Sequence, residues 1–318
     1  RGRDAGGELS CRYSDGCARP ARAPELTVVN TMKKQTAYKS SLARRNLQKF
    51  CANKMAIAGC ALMTIIILVS LAAPLLTPYD PTLMDVTQKA LPVSREHLLG
   101  TDRMGRDILA RLLYGGRVSI LIGLVSAAGA SLIGVVLGCI SGYYGGAVDK
   151  VLLYISELFM TFPRTLLVLL CVGLAGQSTA NIIWIFILTG WSGTHRIVRA
   201  KIISLREEPF IESCIANGVS GWSIMFHHLM PNTLGPIIVD ATLSVASYIL
   251  AEAGLSFLGM GVPSNIPTWG NIINAAKRLD IIQTMPMLWI APGVAISLFV
   301  LSINFFGDGL RDVFDAAQ

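Results

Sequence analysis

Residues 120–140 read ILIGLVSAAGASLIGVVLGCI, a run without one charged side chain. About 18 apolar residues suffice to carry a helix across the hydrocarbon core of a bilayer. This run therefore reads as a membrane span. Its glycines add a second signal. Gly123, Gly129, Gly134 and Gly138 recur at near-helical spacing, with Ala127, Ala128, Ala130 and Ser131 between them. In lipid, helices associate by packing rather than by escape from water, so small residues mark close approaches. Gly134 and Gly138 form a small-xxx-small pair, and the pattern predicts a multi-helix bundle or a subunit interface.

Working outward, comparable blocks run over Met55–Leu76, Val151–Leu174, Ile182–Val198, Leu234–Leu258 and Pro286–Phe306. Together they predict an all-α integral membrane protein with about six transmembrane helices. The first block ends at Pro74 and Thr77-Pro78-Tyr79-Asp80-Pro81; it is longer than a signal-peptide core and shows no small-residue cleavage site. Composition agrees. The 318 residues are 53% hydrophobic and 15% charged, with mean hydropathy +0.55, whereas soluble domains carry about 25% charged residues.

The net charge of +7 raises nucleic acid as a partner, but its placement argues against that. Lys33, Lys34, Lys39, Arg44, Arg45, Lys49 and Lys54 crowd before the first block with no acidic residue among them. That is a cytoplasmic flank under the positive-inside rule, and with six spans both termini are cytoplasmic. The stretch from Pro78 to Arg117 is then external. It carries Arg95, Arg103, Arg106, Arg111 and Arg117 against the rule, and the tail before the first helix takes precedence.

The expected organisation is a leader at 1–31, non-native or disordered, then a basic cytoplasmic tail at 32–54. The first transmembrane helix and an external segment fill 55–116. The core transmembrane domain fills 117–318 and contains a polar cytoplasmic loop at 200–232. Catalytic signatures are missing: there is no G-x-x-x-x-G-K-[ST] loop for ATP and no H-E-x-x-H. His97, His195, His227 and His228 form no metal set, and no cofactor is expected on this chain. Gly190-Trp191-Ser192-Gly193 resembles the serine motif of intramembrane proteases, but the last span offers no base and His195 is too near in sequence to face Ser192. Cys60, Cys139 and Cys171 read as small apolar fillers, and no disulfide is expected.

The polar loop is longer than a connector needs. After Pro209 comes a short helix, then a glycine turn at Gly218 and a second helix halted by Pro231. The loop resembles the E-A-A-x-x-x-G segment of ABC-importer permeases. Glu212 stands at the glutamate, Ser213 and Cys214 replace the alanines, Ala216 follows, and Gly218 falls at the glycine. Leu229-Met230-Pro231-Asn232 is similar to the closing L-P-N. His97-Leu98-Leu99-Gly100-Thr101-Asp102 with Gly105-Arg106-Asp107, Leu255-Ser256-Phe257-Leu258-Gly259, Pro267-Thr268-Trp269-Gly270 and Gly307-Asp308-Gly309-Leu310-Arg311-Asp312 resemble the C-type permease of the dipeptide, oligopeptide and nickel subfamily.

The resemblance implies the type I ABC-importer permease fold in a bacterial or archaeal cytoplasmic membrane. It implies a second permease, two P-loop ATPase subunits that hydrolyse ATP with Mg, and an extracytoplasmic solute-binding protein. Glu212, Ser213, Cys214, Ala216, Gly218 and Pro231 would then form the contact with the ATPase. Di- and oligopeptides lead as solutes, followed by nickel complexes, glutathione and opines. The alternative is a self-sufficient secondary transporter or channel. Ionisable groups at membrane depth are functional candidates because burying them is costly. Glu157, Asp240 and Glu252, with Asn304 as a polar companion, are therefore pathway candidates; the competing role is a hydrogen bond between helices. A pathway carboxylate would attract a peptide's amino terminus. Arg164, next to Pro163, is expected to snorkel to an interface.

Overall fold

The computed structural model describes residues 48–315. The leader at 1–31 and the tail residues Lys33, Lys34, Lys39, Arg44 and Arg45 lie outside the described residues. Among the described residues all regular structure is helical. The longer elements are α1 (Lys54–Leu71), α2 (Ile108–Tyr144), α3 (Gly146–Thr161), α4 (Arg164–Ala175) and α5 (Thr179–Arg206), followed by the short α6 (Pro209–Ala216). Then come α7 (Met230–Phe257), the short α8 (Trp269–Ala275) and α9 (Leu279–Thr284), and α10 (Met287–Asp315).

The block quoted first sits in α2, which extends well beyond it at the amino-terminal end. Asp107 starts the helix early by accepting a hydrogen bond from the Ala110 backbone N–H at 2.6 Å. At 37 residues α2 is about 55 Å long, far more than the ~30 Å hydrocarbon core. It runs unbroken through residues 116 and 117, so the segments expected at 55–116 and 117–318 share it.

Its glycines do what their spacing predicts. A Cβ built on Gly134 would lie 2.6 Å from Thr194 Cβ, and one on Gly138 would lie 2.7 Å from Val198 Cβ, both on α5. Gly123 faces Ile249 of α7 and Gly116 faces Ser70 near the end of α1. Glycine thus brings α2 against three other helices.

Four helical stretches are by themselves long and apolar enough to span: α1, α2, the continuous run Gly221–Phe257 that contains α7, and α10. The expected span Val151–Leu174 is instead α3 and α4, bent by 90° at Phe162–Pro163, and counts as a fifth only if the pair is one span. Pro163 has no N–H and pushes Phe162 into extended backbone (φ −84°, ψ 140°). The block Ile182–Val198 lies in α5, whose 28 residues are long enough. Its Thr189, Ser192, Thr194 and His195 make it more polar and are buried against neighbouring helices rather than lipid. All six apolar blocks therefore reappear as helix, two of them interrupted, Val151–Leu174 at Phe162–Pro163 and Met55–Leu76 at Ala72.

Proline acts differently at 231. Pro231 does not halt the helix, contrary to its sequence reading. Ile224–Leu229 adopts the wider π-helical turn, with the Met230 N–H on the Met225 carbonyl, and the chain continues directly into α7. Pro231 stands in the first turn of α7, where its missing N–H is tolerated.

The segment at 78–117, expected to be external, is a compact knot. His97 Nδ1 lies 2.8 Å from Asp107 Oδ2, its Nε2 lies 3.1 Å from Gln88 Oε1, and its ring packs on Tyr79. Four of the five arginines that offended the charge rule are bound within the fold, and Arg95 is exposed. Arg106 pairs with buried Asp102 at 2.7 Å, and Arg111 is buried and reaches the Pro81 carbonyl at 3.3 Å. Arg103 pairs with Asp280, and Arg117 donates to the Ser70 and Leu71 carbonyls. At the other end of the molecule Asn53 caps α1 and donates to Asp312 of α10 at 2.9 Å, so the start of α1 and the end of α10 lie together.

Candidate functional site

α6 begins with Pro209, which fits a first helical turn because no N–H is lost there. It ends in a Schellman arrangement. Gly218 has φ +73°, its N–H bonds to the Ile215 carbonyl at 2.9 Å, and the Val219 N–H bonds to the Cys214 carbonyl at 3.1 Å. Only glycine adopts that backbone without strain. On the inner face Ile211 is 0% exposed, in a cluster with Cys139 of α2, Val198 and Ile202 of α5, and Ile224, Met225 and Leu229 of the π turn. Cys214 and Val219 pack on the same cluster.

The outer face of this loop is open. Glu212, Ser213, Ala216 and Gly218 are exposed, as are Glu207 and Glu208. Three large apolar side chains share that exposure: Phe210 (41%), Ile215 (54%) and Trp222 (57%), the last stacked on Phe226. The structure therefore gathers Glu212 through Gly218 on one short, anchored helix. Pro231 belongs to the start of α7 rather than to that surface.

Beneath α6, a clamp joins α3 to α5. Arg199 holds Asp149 with two bonds, Nε to Oδ1 at 2.5 Å and Nη2 to Oδ2 at 2.6 Å. Ser141 of α2 also donates to Asp149, and Arg206 donates to the Tyr143 carbonyl at 2.9 Å. Sequence reasoning missed Asp149 and Arg199; their separation along the chain hides the pairing.

A cavity of about 420 Å³ opens where the α3–α4 break meets α5 and α7. Asp240 of α7 lies on its wall and accepts a hydrogen bond from Thr194 at 2.6 Å. Arg164, at the first turn of α4, is exposed and sits 4.6 Å from the centre of the Tyr248 ring on the same wall, a cation–π contact. Arg164 and Tyr248 are the site residues that sequence reasoning did not place here. The signal that could have found them is Pro163, since a break in a span at membrane depth is tolerated where the chain borders a cavity or packed protein.

The other pathway candidates lie elsewhere. Glu252 is 0% exposed and bound between helices: it accepts from Ser119 of α2 at 3.2 Å and from Ser256 at 2.7 Å. Ser119 in turn accepts from the Trp269 N–H at 3.2 Å. Glu157 is exposed on α3 with Arg196 3.8 Å away, and Asn304 is exposed on α10. Of the four candidates, Asp240 alone lines this cavity. Ser192 lines it too, but the ring nitrogens of buried His195 have no hydrogen-bond partner, so no serine–histidine pair exists.

Residues 134–318 match the family of binding-protein-dependent transport system inner membrane components. Residues 41–92 match the N-terminal transmembrane domain of oligopeptide transport permease C. The chain is 38% identical over 298 residues to the dipeptide transport system permease protein DppC of Alkalihalophilus pseudofirmus, covering 94% of this chain and 97% of that protein. It is 34% identical to the oligopeptide transport system permease protein OppC of Bacillus subtilis, covering 86% and 90% respectively. With OppC of Haemophilus influenzae the identity is 38%, covering 84% of this chain and 86% of that protein.

Proposed function

Because this chain belongs to the family of binding-protein-dependent transport system inner membrane components and is a multi-pass membrane permease subunit, we propose that it forms half of a di- or oligopeptide pathway driven by separate ATPases. The names of its relatives favour peptides over nickel complexes, glutathione or opines. In this reading a second permease completes the pathway, two P-loop subunits hydrolyse ATP with Mg below, and a solute-binding protein delivers from outside. Both termini face the cytoplasm.

The observation that carries the reading is α6. Its inner face is fixed to α2, α5 and the π turn through Ile211, while its outer face offers Glu212 beside exposed Phe210, Ile215 and Trp222. A short exposed helix on a rigid base is a handle. Movement of an ATPase bound to it passes through Gly221–Leu229 straight into α7, which carries Asp240 at the cavity. The Asp149–Arg199 clamp keeps α3 and α5 moving with it.

Mild-detergent purification of the tagged chain, with partners identified by mass spectrometry, tests this. A P-loop ATPase and a second permease are expected with the wild type. Gly218→Val forces a β-branched residue into left-handed backbone at a cost of about 1–2 kcal/mol and is expected to lose the ATPase but not membrane insertion. Recovery of the wild-type chain alone, from membranes whose other complexes survive, would favour a self-sufficient transporter.

A further inference from the structure

We propose that the cavity at the α3–α4 break is a binding site for a zwitterion, with Arg164 receiving the carboxylate and Asp240 the ammonium group. The inference rests on the peptide-import reading and adds to it the residues that engage each end of the solute.

The cavity wall carries one acidic and one basic side chain. Among the described residues, the ion pairs involve neither Arg164 nor Asp240. Arg164 is held by the face of Tyr248 instead, with the ring centre 4.6 Å from the guanidinium carbon. Gly190 makes that arrangement possible: a Cβ there would come within 3.0 Å of Arg164 Nη2 and would collide with the Tyr248 hydroxyl. Asp240 has a single neutral donor, the Thr194 hydroxyl, on Oδ2. Stacking and one hydroxyl bond orient the two groups without neutralising them.

Asp240 is half-buried and Arg164 exposed on the cavity wall, and charges beside low-dielectric protein interact more strongly than in open water. A solute with one positive and one negative end compensates both and brings no net charge. An ion of one sign satisfies one and leaves the other. At about 420 Å³ the cavity lies in the range of small-molecule sites.

The test uses the complete importer, reconstituted with its ATPases and binding protein, and the initial rate of labelled dipeptide uptake. Asp240→Asn and Arg164→Gln are each expected to lower that rate about tenfold or more, as loss of a charge-assisted contact should. Asp240→Glu and Arg164→Lys, which keep the charge, are expected to stay within about threefold of wild type. Unchanged rates in the neutral variants overturn the proposal, and so does equal loss in neutral and charge-keeping variants, which marks a packing role. Absence of dipeptide uptake by the wild-type complex counts against the peptide-import reading instead.

Should a neutral variant fail to assemble, Ser244→Cys on the cavity wall, in a background without the native cysteines, reports binding with both charges intact. A dipeptide is expected to protect it from a maleimide, and its N-acetylated amide is not. Equal protection by both, or protection by neither, removes the site.

Discussion

Asp240 and Glu252 read alike in the sequence, as lone acids in one apolar block, yet they have different surroundings. They stand twelve residues apart on α7, which turns them about 120° from one another around the helix axis. One faces the cavity beside Thr194; the other is closed in by Ser119 and Ser256 and, through Ser119, ties α2 to the start of α8. Glu252→Leu removes the acceptor from both hydroxyls and is expected to cost about 1–3 kcal/mol, read as a lower thermal midpoint of the purified complex. Glu252→Gln keeps an acceptor and is expected to transport nearly as wild type. A stable Glu252→Gln complex that no longer transports would return this residue to the pathway. The hydropathy of the block flagged both acids; the rotation and partners of α7 separated them.

At the scale of elements, glycine was more legible than proline. The spacing of Gly134 and Gly138 announced a close approach, and α5 fills it, with Val198 and the His195 carbonyl 2.7 and 2.9 Å from a Cβ built on Gly138. Gly138→Leu is expected to part α2 from α5 at an overpacking cost of about 1–3 kcal/mol, seen as lower yield of folded chain. Gly254→Ala, where a Cβ meets nothing within 4 Å, serves as the tolerated control; equal loss in both would remove the packing argument. Proline was less uniform, for only Pro209 opens its helix as its sequence position predicts. Pro163 stands at the 90° bend between α3 and α4, Pro231 follows a π turn without stopping the helix, and Pro236 and Pro292 lie inside α7 and α10. Each removes the same N–H, but whether the chain bends depends on what the neighbouring helices support.

For the molecule as a whole, α6 and the knot at 78–117 lie toward opposite ends of a long helical run. Gly221–Phe257 measures about 55 Å and joins the loop that carries α6 to the one that carries α8 and α9. Orientation follows if α6 meets an ATPase. In a background without native cysteines, Gln283→Cys is expected to react with a membrane-impermeant maleimide in intact cells, and Glu212→Cys only after permeabilisation. The reverse pattern would invert the topology and detach α6 from any cytoplasmic partner. A count of charges along 78–117 does not register that Arg103, Arg106, Arg111 and Arg117 are bound within the knot and to the adjoining helix ends.

The sequence by itself determined that the chain is helical and membrane-embedded, where its apolar blocks lie, and that Pro209 and Gly218 bound a short helix in a polar loop. These properties are local: hydropathy over one span, a missing N–H at a helix start, a left-handed residue at its end. Only the tertiary structure decided that one block is a bent pair, that Arg164 shares a cavity with Asp240, and that Glu252 lies outside it. Those outcomes depend on how each helix is rotated and which neighbour meets it, and pairs such as Arg199 with Asp149, 50 residues apart, leave no periodic trace in the chain.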